Sequence, residues 1–216
     1  MKKLGFILFS LFAFAFFIFS CSTKTFNVEI NKIGTYPHPL IEPLPIKVGV
    51  YYGNDFGTFE TTEKVEMKEA ESTIFTFIYN TKMGKANIAL FDYILSILFE
   101  KVTPVQYLSK GSDHKKDIDL IVEPTVQSFT HISPTDPTVY GTNIILIIYA
   151  INFYLPEGEK IGSWSIEGGG DTLPRLNETT IVELTQMAMR EVAAKFMTDF
   201  CNQVDINKLF YNQCNQ

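Results

Sequence analysis

The chain has 216 residues, 18 of them basic and 24 acidic, with a formal charge of −6 and 46% hydrophobic content. That acidity argues against a nucleic-acid partner, which would need a basic face, and the apolar content excludes a disordered chain. The sequence opens with Lys2 and Lys3, an apolar run from Leu4 to Phe19, then Ser20 and Cys21. Basic, apolar and small-residue regions in that order mark a secretory signal. A retained membrane helix is the other reading, but the run falls slightly short of the roughly 18 residues that a spanning helix uses. Without residues 1–20 the chain has 16 basic and 24 acidic residues and a charge of −8. Adsorption onto anionic lipid therefore has no electrostatic support. The 196 residues that remain suit one domain with a packed core.

Residues 21–45 read as a tether, because Pro37, Pro39, Pro43 and Pro45 forbid regular helix or central strand. Fully extended, the 24 residues after Cys21 would reach roughly 70 Å. Within them, Phe26 to Ile30 alternates as a short edge strand would. The domain is expected over 46–203, with 204–216 as a C-terminal tail. Ile46 to Tyr52 is its first strand, and the glutamate-rich stretch Glu60 to Glu71 is a solvated loop or edge hairpin. Ser72 to Tyr79 is a second strand.

Gly84 to Val102 carries apolar residues at spacings of three and four and is expected as a long helix. Leu90, Ile94 and Ile97 make its apolar face wider than one sheet contact needs, which suggests either deeper burial or a groove. A short strand is expected at Val105 to Leu108. Three longer strands follow: Ile118 to Thr130, Asn143 to Tyr154 and Lys160 to Glu167. Pro124 marks an edge or bulge in the first of these, and Ile144 to Ile151 marks the second as central. Gly168-Gly169-Gly170 is expected to open a loop. Thr180-x-x-Glu183 reads as a capping box for a second long helix reaching about Asn202. The expected fold class is α+β, a two-layer sandwich of a mostly antiparallel sheet with two long helices packed on one face.

Catalytic constellations are scarce. The chain contains no HExxH and no GxSxG. His38, His114 and His131 all fall in expected loops without a partner at ligand spacing, so no catalytic residue, metal or cofactor is assigned. Gly168 to Asp171 lacks the Lys-Ser/Thr of a phosphate loop. The stretch His131 to Thr142 is too long for a tight hairpin, and His131 and Tyr140 are its candidate partner-contact groups.

Ile18-Phe19-Ser20-Cys21 resembles the lipobox of bacterial lipoproteins, with Phe19 where a smaller residue is usual. The resemblance implies cleavage before Cys21 and a lipid on its thiol. Cys201 and Cys214 then remain as an even pair in an oxidising compartment, either disulfide-bonded or as two free thiols. ANIALFDYILSILFEKV, IVEPTVQSF, YAINFYLPEGEKIGSWSIEGGG and the alanine-rich last helix together resemble an uncharacterised family of bacterial envelope lipoproteins. The layout is similar to small periplasmic accessory lipoproteins of lipopolysaccharide export, ABC transport or peptidoglycan-synthase activation. The resemblance implies a non-enzymatic, periplasm-facing accessory or assembly factor with an envelope protein partner. Ser22 after Cys21 favours the outer membrane over the inner. The alternative is a periplasmic lipoprotein that binds a small apolar ligand or lipid.

Overall fold

Tyr79, Tyr149, Phe91, Phe99, Phe153, Phe196 and Phe200 are among the largest fully buried side chains, and the elements converge on them. The computed structural model describes residues 22–31, 33–34, 36, 42–70, 73–106, 108, 117–133, 141–172 and 177–215. The expected signal 1–20, Cys21, His38, His114 and Tyr140 lie outside these. In chain order the elements are β1 (Ser22–Glu29), β2 (Leu44–Val50), α1 (Asn54–Gly57), β3 (Glu60–Ala70), β4 (Thr73–Lys82), α2 (Gly84–Leu98) and β5 (Phe99–Pro104). There follow β6 (Leu120–Ile132), β7 (Asn143–Tyr154), β8 (Lys160–Thr172), α3 (Glu178–Asp199), a 3-10 turn (Phe200–Asn202), α4 (Val204–Leu209) and α5 (Tyr211–Cys214).

The strands form two sheets, ordered β1-β4-β3 and β5-β2-β6-β7-β8. In the larger sheet the odd-numbered residues of β7, Ile145 to Phe153, are buried. This face takes both longer helices: Phe91 of α2 meets Tyr149 edge-on at 5.4 Å, and Phe196 of α3 stacks on Trp164 of β8 at 5.6 Å. Phe91 and Phe196 also meet each other at 6.2 Å. The smaller sheet closes one end of the same core, with Tyr79 of β4 edge-on to His131 of β6 at 5.5 Å. At the opposite end of β7, a turn with Gly158 at φ 87 leads into β8. Phe200 reaches Phe99 and Phe153 there, at 5.0 and 6.0 Å.

The chain is α+β, but its sheets are mixed rather than one mostly antiparallel sheet. Pairs β1/β4, β2/β5 and β2/β6 are parallel. Among the described residues only α3, at 22 residues, is a long helix. α2 stops after 15 residues because Phe99 turns extended, at φ −121 and ψ 146, and joins β2 as a parallel neighbour. The strand expected at Val105–Leu108 is thus Phe99–Pro104. Of the three residues that widen the apolar face of α2, Leu90 and Ile94 are fully buried in the core, whereas Ile97 is half-buried.

Two expected boundaries change. The stretch expected as tether supplies β1, whose Phe26 and Val28, with Ile30 just after it, are buried in the core. Described strand structure therefore reaches back to Ser22, because that alternating row gains more by burial than by remaining in solvent. The expected tail forms α4 and α5, with Ile206 and Phe210 buried.

The triglycine is not a loop. Gly168 and Gly170 lie inside β8, where a Cβ would meet the carbonyl oxygens of Ala188 and Leu184 at 2.1 and 2.2 Å. The glycines let α3 approach the sheet backbone. The cap of α3 also shifts from Thr180 to Asn177, whose Oδ1 accepts from the Thr180 backbone N–H at 2.8 Å.

Candidate functional site

The sequence concentrates function at the N-terminus, so the way the fold holds Ser22 matters. β1 runs parallel to β4 with Ser22 opposite Phe75, Lys24 opposite Phe77 and Phe26 opposite Tyr79. Phe26 stacks on Tyr79 at 5.0 Å and on Phe77 at 6.2 Å, and Lys24 Nζ lies 4.5 Å from the Phe26 ring centroid. On the outer face, Asn80 donates to Asn27 Oδ1 at 3.0 Å and accepts from Thr62 at 2.9 Å, which ties all three strands. Glu63, opposite Tyr79 on β3, has its pKa raised by partial burial. The junction is thus a built part of the domain, one residue after Cys21.

His131 is not a loop residue. A bulge between Val126 and Ser128 reverses the alternation of β6, so Phe129 and His131 turn into the core while Thr130 and Ile132 turn out. His131 is 8% exposed, and neither ring nitrogen has a hydrogen-bond partner among the described residues. Burial lowers its pKa. The nearby Asn143 side chain favours the charged form, but it makes no full hydrogen bond, so burial dominates. His131 is accordingly a packing residue against Tyr79 rather than a partner-contact group. Pro124 precedes the bulge and has a separate cause. β2 pairs with β6 only over Leu120–Val122, so Pro124 lies where β6 has lost its neighbour on that side.

The structure joins Cys201 and Cys214 in a disulfide with Cα atoms 5.5 Å apart. It fastens α5 back to the end of α3, and Phe210 packs into the core between them. Glu191 of α3 accepts from Lys195 at 2.8 Å and from the Gly169 N–H at 2.7 Å, and both lower its pKa. The interaction with Lys195 is the larger cause. This carboxylate clamps helix to sheet.

Among the described residues, no group of three His, Cys, Asp or Glu side chains could hold a metal ion. A cavity of about 310 Å³ is lined by Asp55, Phe56, Phe59, Glu123 and Thr125. Its two acids are not arranged as a free pair: Glu123 Oε2 accepts from Tyr154 Oη at 2.6 Å and from Asn152 at 3.0 Å. A second cavity of about 230 Å³ is rimmed by Glu29, Glu60, Lys82 and Lys85, which pair as Lys85–Glu29 at 3.4 Å and Lys82–Glu60 at 3.8 Å. No described helix is long and apolar enough to cross a membrane.

No family model and no curated protein matches the sequence. Among solved structures, the chain is similar to a Xanthomonas campestris protein of the DUF330 family. The TM-score is 0.42 at 8% identity, covering 82% of this chain and 92% of that one. A minor lipoprotein from Acinetobacter baumannii gives 0.40 at 9% identity, over 77% and 96%. The hypothetical protein CT253 from Chlamydia trachomatis gives 0.36 at 11% identity, over 74% and 99%. Scores and identities this low assign neither a family nor a function to the chain.

Proposed function

We propose that the protein is a non-enzymatic lipoprotein of the bacterial cell envelope, acylated on Cys21 and facing the periplasm. In this reading it serves as an accessory or assembly factor for an envelope complex in outer-membrane biogenesis, transport or cell-wall synthesis. The observation that carries the reading is the N-terminal sequence itself. Lys2 and Lys3, the Leu4–Phe19 run and Ile18-Phe19-Ser20-Cys21 form an export signal ending in a lipobox-like site. The Cys201–Cys214 disulfide suits an oxidising compartment. Ser22 after Cys21 favours the outer membrane. The reading calls for no cofactor or metal. The ligand-binding alternative has less to support it, since Leu90 and Ile94 of α2 pack into the core.

The test uses full-length protein recovered from bacterial membranes. Mass spectrometry of the mature N-terminus is expected to show Cys21 carrying acyl chains, and Cys21→Ser is expected to release the protein from the membrane. An unmodified Cys21 refutes the anchor. Cross-linking in intact cells is expected to capture an envelope protein. An acylated protein that cross-links to nothing in the envelope retains the anchor and loses the accessory role.

A further inference from the structure

β8 is an edge strand of the five-stranded sheet and runs for 13 residues. Among the described residues no strand lies on its outer side. Its register with β7 is unbroken from Gly162 to Thr172, so the backbone groups of alternate residues face away from the sheet. Such an edge is a template for another strand. The opposite edge, β5, is blunted by its length of six residues and by Pro104 at its end. β8 contains no proline, and its Ser163 and Ser165 are small and exposed.

Part of this edge is already occupied. Lys195 Nζ of α3 donates to the Glu167 carbonyl oxygen at 2.7 Å, and Glu191 Oε2 accepts from the Gly169 N–H at 2.7 Å. The two side chains pair with each other at 2.8 Å, one helical turn apart. A carbonyl and the N–H two positions on are the groups that one residue of a parallel neighbour would engage. The ion pair thus stands in for one residue of a missing strand. By the same alternation, Ser163 and Ser165 turn their backbone groups outward too.

We infer that Glu191 and Lys195 form a plug that closes the β8 edge to strand addition, and that the partner it excludes is the β8 of a second copy. Antiparallel pairing of one edge with its own copy is self-complementary across a two-fold axis, so it needs no other surface. Ser163 and Ser165 bring no charge to oppose such a meeting, and the half-buried Trp164 would gain a cross-strand neighbour. With the plug in place, an arriving strand finds Glu167 and Gly169 already bonded and two charged side chains across its path. The inference is independent of acylation at Cys21.

The test is sedimentation equilibrium of the full-length protein in density-matched detergent, with circular dichroism of each sample. The parent is expected to have the mass of one copy. Glu191→Ala with Lys195→Ala is expected to move toward twice that mass and keep the parent's spectrum. Adding Ser165→Pro removes an outward N–H and no bond to β7, and is expected to return the mass to one copy. Lys195→Met keeps the aliphatic stem and frees Glu167 alone, so it serves where the double variant does not fold. It is expected to shift the mass in the same direction, less far. A folded double variant that stays at one copy overturns the inference, as does Lys195→Met at one copy where the double variant is unfolded. A dimer that survives Ser165→Pro uses another surface and overturns it as well. So does a parent that is already a dimer and is split by Ser165→Pro, since its edge was never closed.

Discussion

A Cβ on Gly168 would stand 2.1 Å from the Ala188 carbonyl oxygen, and one on Gly170 would stand 2.2 Å from that of Leu184. Neither backbone atom can swing aside as a side chain could. A methyl at Gly169 would meet only side-chain atoms, of Leu146 at 3.3 Å and of Glu191 at 3.6 Å. Gly168→Ala and Gly170→Ala are therefore expected to cost about 2 kcal/mol or more each, and Gly169→Ala much less, measured as denaturant midpoints. His131 offers a second residue-level outcome. Burial holds its folded pKa below the ordinary 6.5. Above that value both states carry a neutral ring and the residue contributes no pH dependence. As pH falls below it, the unfolded chain binds a proton that the folded one resists, so stability declines. Urea midpoints followed from pH 7.5 to 5.5 are expected to fall more steeply for the parent than for His131→Phe, whose ring can still pack on Tyr79. Equal slopes would mean that His131 takes up its proton in the folded state.

The disulfide ties two elements that would otherwise be held by little apolar surface. α4 and α5 are six and four residues long, too short to be helical alone, and they bury only Ile206 and Phe210. The bridge spans 13 residues, so removing it with Cys201→Ser and Cys214→Ser is expected to cost about 3 kcal/mol. A lowered melting temperature and early proteolysis after Gln203 are the readouts. The sequence located these cysteines but left their pairing open, since spacing says nothing of Cα separation. Elsewhere, legibility followed how local each signal was. The uninterrupted apolar run of β7 and the amphipathic period of α3 are local, and both were readable. The bulge that reverses β6 is set by its partner strand, so His131 was placed in a loop when it lies in the core. The glycine row looked like a loop because its purpose, room for the backbone of α3, appears only when the helix is in place. The helical period continued past Leu98, but pairing with β2 pulled Phe99 into a strand.

The largest departure from the sequence concerns residues 22–30. Four prolines made residues 21–45 look like a spacer, and an independently folding domain was expected from Ile46. In the structure, β1 is both an edge strand of the small sheet and a covering layer of the core. Phe26, Val28 and Ile30 are nearly inaccessible, and the rings of Phe77 and Tyr79 lean on Phe26. Burying three such side chains is worth roughly 5 kcal/mol or more, which is comparable to the whole stability of a typical domain. A fragment starting at Ile46 would expose Tyr79 and Phe77 and leave β4 with one neighbour instead of two. Such a fragment is expected to aggregate or to give a collapsed spectrum without dispersed amide resonances, whereas one starting at Ser22 is expected to fold cooperatively. A well-folded fragment from Ile46 would restore the reading of residues 21–45 as a tether. A single truncation pair therefore tests whether β1 is an integral strand of the fold or a dispensable cover on β4.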